Sequence, residues 1–153
     1  MSDSASPSQQ ARLMLSAMRA ASLGTLTDDG APFLSLVTVA QTNPLDCAML
    51  LSGLAVHTSN LKQDGRSSLL VLEAGCEDDN PLTRARLTLS GQAVCLDRSN
   101  DAAARAAFLE CHPEAAMYAD FGDFAIWRFT IESAHLVAGF GRIVTLRPDD
   151  LAT

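Results

Sequence analysis

The sequence has no apolar run approaching the length of a membrane span, so a transmembrane helix is not expected. Its polar, acidic start, MSDSASPSQQ, is followed by no hydrophobic segment of the kind a secretory signal needs. Basic residues are few: 11 Lys and Arg against 18 Asp and Glu leave a net charge of −7. A nucleic-acid backbone would be repelled by that balance except at a local basic patch. The four cysteines, Cys47, Cys76, Cys95 and Cys111, stand singly, without a CxxC pair. Cys111-His112 has no further ligands at zinc spacing, so no metal site is expected. The thiols read as small reduced hydrophobes of a cytoplasmic protein. Neither a Ser-His-Asp order nor a pair of carboxylates points to hydrolysis.

What is present is core. Of 153 residues, 48% are hydrophobic, ample for one domain. Residues 1–7 are expected to be disordered and 8–153 to form a single domain. From Ser8 to Ser22, Leu13, Met14, Ala17, Met18 and Ala21 fall at helical spacing on one stripe. Asp28-Asp29-Gly30 then signals a hairpin into FLSLVTVA. There Leu34, Leu36 and Thr38 would face one side and Ser35, Val37 and Val39 the other. After Asn43-Pro44, a strand is predicted over Cys47–Leu51. Ser67–Glu73 is nearly continuously apolar and predicts a strand buried on both faces. Arg84–Leu96 predicts a long strand with a bulge or bend at Gly91. Asn100 or Asp101 would cap a helix ending before Pro113, and Glu114–Tyr118 a further helical turn. A strand with Trp127 follows inside Phe121–Gly139, and Gly139–Arg142 turns into IVTL. Six or seven strands joined mostly by hairpins, without βαβ alternation, predict a mainly β, antiparallel barrel with peripheral helices.

One stretch concentrates polar chemistry: LLSGLAVHTSNLKQDGRSSLLV, Leu50–Val71. It reads as strand, loop, short helix and strand, with Thr58 as N-cap and Gly65 as a left-handed terminator. Ser52, His57, Thr58, Ser59 and Asn60 gather hydroxyls, an imidazole and an amide at a helix N-terminus. Unpaired amides and the positive dipole end make that place an anion site, or else an ordinary capped connector.

The ordered blocks GAPFLSLV (30–37), 50–71, NPLTRARLTLSGQA (80–93), HPEAAMYADFGDFAIWRF (112–129) and VAGFGR (137–142) carry a resemblance. The chain resembles the FMN-binding split barrels related to pyridoxamine 5′-phosphate oxidase, nearest the branch of haem-utilisation proteins. The resemblance implies a split β-barrel homodimer with two FMN sites at the subunit interface. It implies phosphate around Ser52–Asn60, with His57 and Thr58 at phosphate-binding positions and Ser59 and Asn60 adjacent. Ser35, Leu36 and Val37 would lie along the ribityl chain and flavin edge. Arg86 would reach the flavin, and Gly139, Phe140 and Gly141 would approach the site of the other chain. The oxidases' strand arginine and lysine are replaced by Ser35 and Ala40, and their loop Arg-Lys pair by Val56 and His57. Vitamin B6 oxidation is therefore not expected, because charge-assisted bonds to a dianionic phosphate are missing.

The expected activity is FMN-dependent oxidoreduction of a small molecule, the isoalloxazine supplying the redox chemistry. A flavin- or haem-binding module and a cofactor-free dimer are the alternatives. The haem-utilisation branch usually carries a further C-terminal domain, and with the sequence ending at Thr153 flavin is expected ahead of haem. Residue by residue, His57 is a phosphate ligand or a loop histidine bonded to backbone. Arg86 reaches flavin or pairs with a nearby carboxylate. Trp127 reads as core or dimer interface, and His112 and His135 as structural. Asp120 and Asp123 read as turn and cap residues.

Overall fold

The computed structural model describes residues 5–75, 80–139 and 141–152. Cys76 and Phe140 lie outside the described residues. Helix α1 spans Pro7–Ala17, starting with a capping box in which the Ser6 hydroxyl accepts from the Gln9 amide and Gln9 accepts from the Ser6 amide. The predicted helix ends early, because Ala20–Leu26 is already strand β1. Strands β2 (Pro32–Asn43), β3 (Asp46–Ser52), β4 (Arg66–Leu72), β5 (Arg86–Cys95), β6 (Phe124–Val137) and β7 (Ile143–Leu146) follow. Helix α2 (Val56–Gln63) joins β3 to β4, α3 (Ala102–Cys111) lies between β5 and β6, and α4 (Pro148–Leu151) follows β7. No described helix is long and apolar enough to cross a membrane.

All seven strands form one antiparallel sheet in the order β3-β2-β1-β4-β5-β6-β7, and a β3–β6 pairing closes the first six into a barrel. Strand β6 makes that closure possible. Its 14 residues pair with β5 along one edge from Trp127 to Val137. Along the other edge it pairs first with β3, over residues 124–130, and then with β7, over 134–137. Between those partners the β5–β6 register shifts, with Ser90 opposite Ser133 and Gly91 opposite Ile131, so Glu132 of β6 is the extra residue of a bulge. The predicted bend at Gly91 is pressed onto that bulged strand: a Cβ there would sit 1.9 Å from the Thr130 carbonyl oxygen. Gly65 is glycine for a related reason and not the expected one. Its φ is not positive, and a Cβ would meet the Ala93 oxygen at 2.7 Å.

Inward side chains of the barrel, among them Leu23, Val39, Met49, Leu69, Leu87, Leu89 and Phe129, form the main core. Ala11 and Leu15 of α1 and Leu151 of α4 join it, and Arg12 of α1 donates to the Asp150 carbonyl at 2.9 Å. A smaller core lies outside the barrel, where Phe108 of α3 packs on Ala48 and Leu50 of β3 and Ile126 of β6. This second core relocates one expectation. The strand buried on both faces is β3, residues 47–51, because α3 covers its outer side. Strand β4 alternates instead: Leu69 and Val71 are inside, while Leu70 and Leu72 point outward, 39% and 46% exposed. The outer positions of β2 behave likewise, with Leu34 and Leu36 at 74% and 77%.

Trp127, 2% exposed, belongs to the main core. His112 is buried, with Nε2 2.8 Å from the Val39 carbonyl oxygen. Asp101 holds the N-cap position of α3 but caps nothing; its carboxylate accepts from Arg105 at 3.0 Å. Gly91→Ala is expected to lower unfolding free energy by about 3 kcal/mol or more, since backbone must move to admit the methyl group. Gly122→Ala, with nothing within 4 Å, should stay within about 0.5 kcal/mol. Urea denaturation of both variants checks the contrast.

Candidate functional site

Helix α2 begins at Val56, two residues before the expected cap, and its N-cap position is Ala55, whose methyl group cannot accept a hydrogen bond. Thr58 is inside the first turn. It is buried, and its hydroxyl donates 2.6 Å to the Ser52 carbonyl, fastening the loop 53–55 to the helix. The Ser52 hydroxyl accepts from the Leu54 amide at 3.1 Å and donates to the Asp123 carboxylate at 3.2 Å. Gly53 in turn donates its amide to the Asp123 carbonyl. The stretch 52–58 is thus pinned from both sides, by Thr58 and by Asp123 at the entrance to β6. The amides of Val56 and His57 precede the first in-helix bond and remain available.

Asn60 is equally buried, and its amide nitrogen donates 3.0 Å to Thr25 Oγ1 on β1. Its place is under the helix, not in front of it. Ser59 faces solvent. His57 Nδ1 lies 2.9 Å from Ser35 Oγ on β2, joining two residues 22 positions apart. Partial burial pushes the His57 imidazole below its usual 6.5, favouring the neutral form.

The expected residues therefore divide. Ser35, Ser52, His57 and Thr58 form one hydrogen-bonded neighbourhood at the β3–α2 junction. Val37 is buried in the core and Leu36 projects outward, on the opposite face of β2 from Ser35. Arg86 is elsewhere. It opposes Leu72 and Val137 in the sheet and donates to the carbonyl of Leu82 at 2.8 Å. Gly139 and Gly141, with φ of 91° and 79°, shape the β6–β7 turn beside that same end. Within one chain, these two groups of residues are separate. Asp123 is the member sequence reading assigned only to a turn. Its proximity to Ser52 comes from the β3–β6 register, Ser52 facing Phe124, which no local signal announces.

Two grooves lie on the outer face. The larger, about 700 Å³, runs over β1, β2, β4 and β5 and includes Arg66, already paired with Asp64 at 2.7 Å, and Glu132. A second, about 320 Å³, has Leu36, Leu70 and Leu72 on its floor and Arg19 and Arg84 among its lining residues. Neither is lined by His57. Among the described residues no cluster of three His, Cys, Asp or Glu could hold a metal ion by itself.

Two predictions test this geometry. Asn60→Ala strands the buried Thr25 hydroxyl and should cost about 1–3 kcal/mol in denaturant unfolding. His57 has a folded pKa below its unfolded value, so between the two the unfolded chain binds more protons. Stability should therefore fall as pH drops below about 6.5, and His57→Gln should flatten that part of the wild-type profile in urea titrations from pH 7.5 to 5.

Known proteins share this architecture. Residues 3–151 match the family model described as CREG, beta-barrel. The chain is 33% identical over 136 residues to the non-canonical heme oxygenase HOZ, chloroplastic, of Arabidopsis thaliana, covering 88% of this chain and 41% of that protein. Against the heme oxygenase HutZ of Vibrio cholerae it is 28% identical, over 84% of this chain and 74% of that one. The structure of a heme binding protein from Mycobacterium smegmatis superposes with a TM-score of 0.89 at 31% identity, over 99% of this chain and 62% of that one. Solved structures of the pyridoxinephosphate oxidase family share the fold at lower identity.

Proposed function

The chain belongs to the CREG β-barrel family, of the FMN-binding split-barrel fold, and from that premise we propose that it binds haem in a homodimer and serves haem oxidation. The observation that carries this reading is the Ser35–His57 pair. The serine fixes the imidazole's orientation through Nδ1, and burial favours the neutral form, which is the form that can ligate iron. In the tautomer whose Nδ1–H donates to Ser35 Oγ, Nε2 is left with a lone pair for a metal. The names of the relatives at 33% and 31% identity support the same cofactor, although this chain spans less than two thirds of either protein. When bound, haem iron supplies the oxygen and electron chemistry; the protein contributes orientation, access and polarity.

A second reading, an FMN-dependent oxidoreductase, is favoured by the open amides of Val56 and His57 and the exposed Ser59 hydroxyl. The charges oppose it. Arg86 is at the other end of the barrel, and the Asp123 carboxylate sits 3.2 Å from the Ser52 hydroxyl, where it repels a dianionic phosphate. Both readings use a dimer. The outward leucines of β2 and β4 are the apolar surface such an interface would cover, and a two-fold would let one protomer's 52–60 segment meet the other's Arg86 and Gly139–Gly141 turn. Its three described cysteines are unpaired, and we place the protein in a reducing compartment such as the cytoplasm.

Absorption titration separates the readings. Purified protein titrated with haem should develop a stoichiometric Soret band that shifts or weakens in His57→Ala, while added FMN should be lost on desalting. Retained FMN without a haem band would reverse the order. Sedimentation at micromolar concentration should give a dimer mass for the wild type, and Leu34→Glu should lower it toward the monomer.

A further inference from the structure

The smaller outer groove has a composition unlike the rest of this acidic protein. Its floor is largely apolar: Leu36 from β2 and Leu70 and Leu72 from β4, with Ala20 and the Ser22 hydroxyl of β1 between them. Two arginines line it from separate segments, Arg19 just before β1 and Arg84 just before β5. Neither guanidinium is spent on a carboxylate among the described residues. Arg19 Nη1 donates to the Met18 carbonyl at 3.1 Å, and Arg84 Nε donates to the Glu73 carbonyl at 2.7 Å. Those bonds fix the side chains and leave further N–H donors on each. The nearby Glu73 carboxylate accepts from the Ala85 amide at 3.3 Å. No acidic residue is among the groove's described lining, in a chain whose net charge is −7.

The larger groove makes a useful contrast. There the arginine is already neutralised by Asp64, and Glu132 adds a negative charge. An anion gains less there.

We propose that the Arg19–Arg84 groove is the docking site for the carboxylate-bearing edge of a planar apolar ligand. On the haem reading above, on which this proposal rests, that edge is the pair of propionates. The leucine floor takes the ring by burial of apolar area, and the two guanidiniums take the carboxylates by charge-assisted bonds. Leu36 and Ser35 are consecutive and face opposite sides of β2, so the groove and His57 of one chain cannot meet the same ring. One ligand touching both takes the groove from one protomer and His57 from its partner, which makes the site a property of the dimer.

The test compares haem with its dimethyl ester, whose propionates are uncharged, in dilute detergent by absorption titration. Wild type should bind haem about tenfold more tightly than the ester, as expected for partly solvated ion pairs. Arg19→Ala/Arg84→Ala should bind both alike, near the wild-type affinity for the ester. Arg19→Lys/Arg84→Lys should keep most of the preference for the acid, which separates lost charge from lost folding. Equal binding of haem and ester by wild type, or an unchanged preference in the double alanine variant, overturns the proposal while leaving haem binding in place. Failure of wild type to bind either porphyrin removes the haem reading and this proposal with it.

Discussion

Closure of the barrel depends on β6 serving two edges at once. Its first half hydrogen-bonds to β3 and its second half to β7, while β5 runs along the whole opposite side. A strand that changes partner partway must accommodate a change of twist there, and the accommodation is the Ser90/Gly91 irregularity opposite Thr130. Without a glycine at that point the β5 and β6 backbones could not approach so closely while β6 keeps its register with β3. That register also brings Asp123 to Ser52 and Gly53. Barrel closure and the shape of the α2 loop are therefore one constraint.

The loop shows how polar residues of similar type take different roles. Ser52, Thr58 and Asn60 all satisfy protein partners, and two of the three are buried. They fix the helix against the barrel. His57 and Ser35 remain half-buried at the surface of that fixed unit, with one ring nitrogen unassigned to any protein group among the described residues. Rigid support beneath a few accessible donors is the arrangement a cofactor site requires, because immobilisation has already been met by folding.

Outward leucines on β2 and β4 are the other organising feature. An isolated barrel gains nothing by presenting Leu34, Leu36, Leu70 and Leu72 to water. In the proposed haem-binding dimer a second protomer and the ring would share that surface, the ring over the arginine-lined end and the partner over the remainder. The same burial rule that fills the barrel then extends beyond it.

The sequence by itself determined the strands from β2 onward, the hairpins at Asp28–Gly30 and Asn43-Pro44, the bend at Gly91 and the polar segment after β3, since these follow from periodicity, turn chemistry and the absence of a side chain. Ordered motifs also pointed to the split-barrel family. Local pattern could not say that Thr58 would cap nothing, that β3 and not β4 would be covered on both faces, or that Arg86 would lie at the far end from His57. Each of those outcomes was decided by tertiary contacts: α3 lying on β3, the Ser52 carbonyl taking the Thr58 hydroxyl, and sheet register setting which strand ends coincide. Hydrogen-bond partners distant in sequence compete with local propensity and prevail because a buried polar group left unpaired costs more than a cap contributes.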